Sequence, residues 1–238
     1  APLLADRDKY RHDAKYSIGG IPAERTTVMG STATEEERRE RFEAAWAKGE
    51  LFEILGIFAD QATNAQSNEL IAEMIREKIR GIVHDPATAE LLSPRNHPFG
   101  TKRPCLDTNY YATYNLPHVR LVDLRATPIT SITETGIELP GESLEFDAIV
   151  YATGFDAMTG AIVAVDIEGR DGVTLKDTWE HGPVTYLGLQ VVGFPNFFTV
   201  TGPGSPSVLS NMMVSIEQHV DWVMDTLEHM RTNHLDTI

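Results

Sequence analysis

Residues 146–156 read Phe-Asp-Ala-Ile-Val-Tyr-Ala-Thr-Gly-Phe-Asp. An apolar run with one acid near its start, Asp147, breaks at Thr153-Gly154, and a second acid, Asp156, follows. The pattern predicts a buried strand over 146–152 that stops abruptly. In open α/β sheets, ligands sit just beyond the carboxyl ends of strands. A glycine there lets backbone approach a ligand more closely than any residue with a Cβ. An ordinary strand-to-turn junction has the same sequence, so the rest of the chain has to decide.

Downstream, runs at 161–167, 186–192 and 197–201 predict further short strands, and Gly202-Pro-Gly-Ser-Pro206 breaks the last. A long helix then carries Ile216, Val220, Val223, Met224, Leu227 and Met230 on one side. Upstream lie β-like runs at 119–124, 129–133 and 136–139, preceded by Asn96-His-Pro-Phe-Gly-Thr-Lys-Arg-Pro104. Two prolines, a glycine and two adjacent cations make that stretch a loop. The first hundred residues read as helical. Thr34-Glu-Glu-Glu37 is a capping-box signature for a helix running to about Lys48. Leu51, Ile54, Leu55 and Phe58 keep helical spacing, and Leu70, Ile71, Met74, Ile75, Ile79, Ile82 and Val83 form one face of a third helix. Asp85-Pro86 supplies an N-cap and a first-turn proline. Residues 1–33 read as a loosely structured opening segment.

The 238 residues include 42% hydrophobic and 23% charged, a globular composition. The formal charge of -15 argues against general nucleic-acid binding, which needs a basic footprint. It also means that any phosphorylated ligand must be held by a local basic cluster. No apolar run reaches membrane-spanning length and no signal peptide opens the chain, so no membrane partner is expected. Cys105 is the single cysteine, which excludes a disulfide framework and a cysteine-rich zinc site and fits a cytoplasmic setting. No metal is expected. Neither G-x-S-x-G nor H-E-x-x-H is present, and no G-x-G-x-x-G marks a dinucleotide site within the chain. His219 and His229 read as surface or packing residues.

Several motifs nevertheless converge. Pro98-Phe-Gly-Thr-Lys-Arg-Pro104, Tyr110-Tyr111, Tyr114-Asn115, Ile149–Asp156, Gly193-Phe-Pro-Asn-Phe-Phe198 and Gly202–Ser207 leading to Ser210-Asn-Met212 and Ser215-Ile-Glu-Gln218 stand in order. Together they resemble the later half of a type I Baeyer–Villiger monooxygenase, within the flavin-containing monooxygenase group, and among these the phenylacetone and steroid monooxygenases most. The resemblance covers essentially the whole chain. It implies an α/β fold: part of a flavoprotein with two dinucleotide-binding domains, lacking the upstream FAD and NADP fingerprints. Residues 1–98 would be a helical insertion of the NADP domain and 99–146 part of that domain. Residues 147–156 would be the interdomain crossover and 157–238 the returning part of the FAD domain.

The resemblance also implies cofactors and roles. FAD and NADPH would serve a reaction that inserts one oxygen of O₂ beside the carbonyl of a small-molecule ketone, giving an ester or lactone. Lys102 resembles the lysine that meets the NADPH 2′-phosphate, and Arg103 the catalytic arginine, which would also touch cofactor. Thr153, Gly154 and Asp156 would lie at the hinge, with or without cofactor contact. Asn211 and Met212 would approach the flavin ring, and Ser207, Val208 and Leu209 would line the ketone pocket. A flavin monooxygenase acting on nitrogen or sulfur, and a non-catalytic remnant serving as an interaction module, are the competing readings.

Overall fold

The computed structural model describes residues 6–22, 26–206 and 210–238. Along the chain run α1 (Arg7–Lys15), α2 (Glu35–Lys48), α3 (Leu51–Leu55), α4 (Ala65–Ile82), α5 (Pro86–Leu91) and α6 (Tyr110–Thr113). There follow β1 (Ser131–Ile132), β2 (Gly136–Leu139), β3 (Glu142–Glu145), α7 (Gly160–Val163), α8 (Leu175–Thr178) and α9 (Met212–Thr232). The chain divides into two compact units, Glu24–Val150 and Ala1–Ala23 with Tyr151–Ile238.

In the first unit, helix boundaries follow local chemistry. The Thr34 hydroxyl accepts from the Glu37 N–H at 3.2 Å, and Gly49 ends α2 at φ 66, the left-handed conformation in which a Cβ is penalised. Glu37 does not reach back as a full capping box would; its carboxylate accepts from Arg41 instead. The Asn64 side chain caps α4 through the Gln66 and Ser67 N–H groups, and Asp85 caps α5 with Pro86 at its first position.

Ile71 and Met74 of α4 pack with Phe42 and Ala45 of α2 and with Ile57 and Phe58 beyond α3. Each such side chain removed from water contributes about 1.5–3 kcal/mol. A second cluster, Ile79, Val83 and Ala89, is covered by Tyr111 and Tyr114. Asn115 closes the far end of α4: its amide donates to the Ile82 carbonyl and accepts from the His84 N–H, both at 2.8 Å.

Between these helices, Asp60 is buried and receives the Gly30 N–H at 2.7 Å, the Ser31 N–H and hydroxyl at 3.3 and 2.7 Å, and the Ser67 hydroxyl at 2.8 Å. Burial alone would raise this carboxyl, but those donors prevail and hold it at about 2. The three strands form an antiparallel meander, β1-β2-β3, in which Gly136 faces Glu145. A Cβ on Gly136 would stand 1.8 Å from the Leu144 carbonyl oxygen, so only glycine fits.

In the second unit, Leu175 and Trp179 pack with Val191 and Phe194, flanked by Ile162, Val163 and Ile167. Segment 6–22 is ordered, not loose. Asp6 caps α1, Arg11 pairs with Glu217 of α9 at 2.6 Å, and the Gly19 carbonyl accepts the Asn211 N–H at 2.7 Å. His219 is buried and its Nδ1 accepts the Thr201 N–H at 3.0 Å. Val220, Met224 and Leu227, expected on the packing side of α9, are exposed; Met230 is buried as expected, and Ser215 and His219 are buried with it.

Most of the expected strands are absent among the described residues. The stretch 146–156 is not a buried strand: Val150 is 88% exposed and Phe155 97%. The Phe146 N–H bonds the Thr135 carbonyl at 2.9 Å, extending the meander by one bond, and pairing then ends. Of 129–133 only Ser131–Ile132 pairs, and 119–124 and 197–201 have no ladder. Residues 186–192 hold one isolated bridge, Tyr186 with Gln190. The run 161–167 begins in helix α7, because a short apolar run packs on one side as readily in a helix as in a strand.

Candidate functional site

The Lys102-Arg103 loop belongs to the first unit and borders a cavity of about 560 Å³. Trp46, Ile54, Ile75 and Phe99 give it apolar walls, Arg76 a buried charge, and Lys102, Arg103 and Cys105 line it from the loop. Lys102 and Arg103 are exposed, and neither has an ion-pair partner among the described residues. Arg76 is already committed. Its guanidinium meets Glu69 at 2.6 Å, Glu73 at 3.0 Å and the Pro94 carbonyl at 2.9 Å.

The loop is anchored before the cations. Phe99 packs on the α2–α4 core, and its backbone is held by Asn68 of α4. The Asn68 amide donates to the Phe99 carbonyl and accepts from the Phe99 N–H, each at 2.9 Å, while also donating to the Gln61 carbonyl at 2.9 Å. The Thr101 N–H then returns to the Pro98 carbonyl at 3.3 Å, with Gly100 at φ 85, as the second central residue of a type II turn requires.

After the cations, the Asp107 carboxylate accepts the Tyr110 N–H at 2.6 Å and α6 begins. Tyr110 stands edge-on to both Tyr111 and Tyr114 at 5.3 Å, and the Tyr114 and Tyr110 hydroxyls bond at 2.9 Å. Burial, then that bond, pushes the Tyr114 phenol up to about 12.

The other expected residues lie in the second unit. Thr153, Gly154 and Asp156 are exposed; Gly154 has φ 85 with open space around it. Asp156 lies against Gly160 at the start of α7, where a Cβ would meet its carboxylate carbon at 2.4 Å. Asn211 caps α9 through the Met213 N–H at 3.1 Å and donates to the Gly20 carbonyl at 3.3 Å, so both halves of its amide are engaged within the unit. Met212 is 44% exposed. Ser207, Val208 and Leu209 lie outside the described residues. Thus Lys102 and Arg103 fall together on one loop, while Thr153, Gly154, Asp156, Asn211 and Met212 lie in the second unit. Asn68 carries no sequence signal, since a polar residue on a helix flank is ordinarily solvated surface.

No protein-family model matches the chain. A Baeyer-Villiger monooxygenase from Pseudooceanicola batsensis is 41% identical over 240 residues, taking in 100% of this chain and 43% of the relative. The chain belongs to the Baeyer–Villiger monooxygenase family. A solved steroid monooxygenase bound to NADP shares 46% identity with this family member at a TM-score of 0.88, covering 98% of this chain and 44% of that one. The structure of OTEMO complexed with FAD and NADP superimposes at a TM-score of 0.93 with 40% identity, over 98% of this chain and 44% of its own.

Other relatives, 38–42% identical, are named for cyclohexanone, acetone and cyclopentanone oxidation, and one for phenazine N-oxidation. The chain spans less than half the length of the relatives it matches. Its fold is that of the corresponding part of these two-dinucleotide-domain flavoproteins. Among the described residues no helix is long and apolar enough to cross a membrane, and no cluster of His, Cys, Asp and Glu has metal-holding geometry.

Proposed function

We propose that these residues work in an FAD- and NADPH-dependent monooxygenase that converts a ketone and O₂ into an ester or lactone. The observation that carries the reading is the pair Lys102-Arg103: two exposed cations, without ion-pair partners among the described residues, beside an apolar-walled cavity in a chain of net charge -15. A local basic pair against an acidic background suits an anionic ligand, and the phosphates of NADPH fit it. Bound reduced flavin would supply the activation of O₂. Lys102, a compact charge, would hold the 2′-phosphate. Arg103, with its planar fork of donors, would hold negative charge as it develops on the carbonyl oxygen.

Of the domain roles expected from the resemblance, this reading keeps 26–98 and 99–146 on the NADP side, 147–156 as the crossover and 157–238 on the FAD side; segment 6–22, expected with the helical insertion, packs on α9 in the second unit and goes with the FAD side instead. Thr153, Gly154 and Asp156 would then stand at the hinge, Met212 and Asn211 beside the flavin, and 207–209 against the ketone. Asn211 would contribute mainly by holding the start of α9, since its amide is already engaged. The relative named for phenazine N-oxidation favours a second reading, oxidation at nitrogen, on the same cofactors.

The test uses the gene product carrying these residues, loaded with FAD. Arg103→Ala is expected to leave anaerobic flavin reduction by NADPH in place and to abolish ester formation, with NADPH consumed to hydrogen peroxide. Arg103→Lys is expected to rescue poorly. Ester formation by Arg103→Ala at wild-type coupling would remove Arg103 from the reaction. An N-oxide in place of an ester would establish the second reading.

A further inference from the structure

We infer that Asn68 is a positioning residue for the Lys102-Arg103 loop. The inference rests on the functional reading of those two cations. The loop has few constraints of its own: Lys102, Arg103 and Cys105 are exposed and lie in no helix or strand. What fixes the approach to the cations is the backbone of one residue, Phe99. Asn68 meets its N–H and its carbonyl at once, the pattern a neighbouring β-strand would make, from a rigid helix. A third bond, to the Gln61 carbonyl, fixes which way the amide faces and so which group of Phe99 each atom meets.

The Phe99 ring packs against the core, so the residue is held at both its side chain and its backbone. The Gly100 turn then converts that fixed direction into the direction of the chain at Lys102 and Arg103. A charged group that must meet a developing anion has to be held within a fraction of an ångström, and misplacement by about 1 Å can cost a hundredfold in rate. Asn68 touches neither cation. It acts through the backbone that carries them.

Cys105, two residues beyond Arg103, exposed and the only cysteine of the 238 residues, provides a probe that needs no cofactor. A nitroxide on Cys105 is expected to show an ordered spectrum in the native chain and a dominant mobile component in Asn68→Ala. Asn68→Asp keeps only the acceptor half of the clamp and is expected to lie between. In the FAD-loaded gene product, Asn68→Ala should lower ester formed per NADPH by roughly ten- to a hundredfold. It should add little to Arg103→Ala, because both act at one group.

A label that stays ordered in both variants would overturn the inference, as would a mobile label with undiminished ester yield. A fall in unfolding midpoint with coupling intact would show a merely structural role and equally overturn it. If Arg103→Ala itself leaves ester yield unchanged, the functional reading fails, and the positioning role fails with it whatever the label reports.

Discussion

At the scale of single residues, the chain separates charges that are satisfied internally from charges that are not. Arg76 and Asp60 are buried and held by partners within the unit, while Lys102 and Arg103 face outward without ion-pair partners among the described residues. Lys102 should govern coenzyme choice. Lys102→Ala is expected to raise the KM for NADPH about ten- to a hundredfold, the value of one charge-assisted contact, and to leave that for NADH nearly unchanged. Equal effects on both coenzymes would show that Lys102 does not read the extra phosphate.

Asp60 should govern acid stability. Its carboxyl sits at about 2 in the folded protein against 3.8 for an ordinary aspartate, a gap worth about 2 kcal/mol. Because the folded value is the lower one, that stabilisation is complete above about pH 4 and is lost as pH falls toward about 2. Asp60→Asn, which cannot accept from all four donors, should be less stable by at least that amount near neutrality. The gap from wild type should narrow on acidification when urea unfolding is followed at successive pH values. A gap independent of pH would show that the ionised form is not what the four donors stabilise.

At the scale of elements, the difference between what was legible in the sequence and what was not is physical. Helix limits at Thr34, Gly49, Asp85 and Pro86 were legible because a cap satisfies backbone groups within a few residues of itself. Of the strands, 136–139 was legible and 129–133 in part, but the other expected runs were not strands. An apolar run such as 146–152 states that it belongs against something, and only a paired neighbour makes it a strand. The Lys102-Arg103 loop was legible from its motif, whereas Asn68, 31 residues away from the peptide it holds, was not.

Gly136 shows how closely the β1-β2-β3 sheet is fitted. Gly136→Ala would drive a methyl group into the Leu144 carbonyl, so the meander must open or shift. A loss of about 1–3 kcal/mol is expected by denaturant unfolding. Gly141, at φ 81 but with open space around it, should instead show only backbone strain when replaced. Equal stability of Gly136→Ala and the native protein would mean that the strand pairing is looser than its register indicates.

At the scale of the whole molecule, acidity and exposed apolar surface oppose each other. Val150, Phe155 and Val192 are among the most exposed apolar residues, and such surface favours association. The net charge of -15 resists it. Salt shortens the reach of that repulsion from about 10 Å at 0.1 M to about 3 Å at 1 M. The 238-residue chain is therefore expected to self-associate increasingly as sodium chloride is raised, with Phe155→Asp shifting the onset to higher salt. Sedimentation velocity at several salt concentrations provides the measurement, and a monomer throughout would show that these side chains do not form an adhesive surface.

The Asn115 clamp on α4 has a consequence for the order of events during synthesis. The front of α4 is capped by Asn64, which leaves the ribosome immediately before the helix does. The back waits for Asn115, which serves the Ile82 carbonyl and the His84 N–H from 33 and 31 residues further along. Until that residue emerges and its loop closes, at an entropic cost that grows only slowly with length, the final turn of α4 has no side chain to terminate it. The helix is thus begun by a neighbour and finished by a latecomer, and its last turn becomes secure only after the Lys102-Arg103 loop has itself been made.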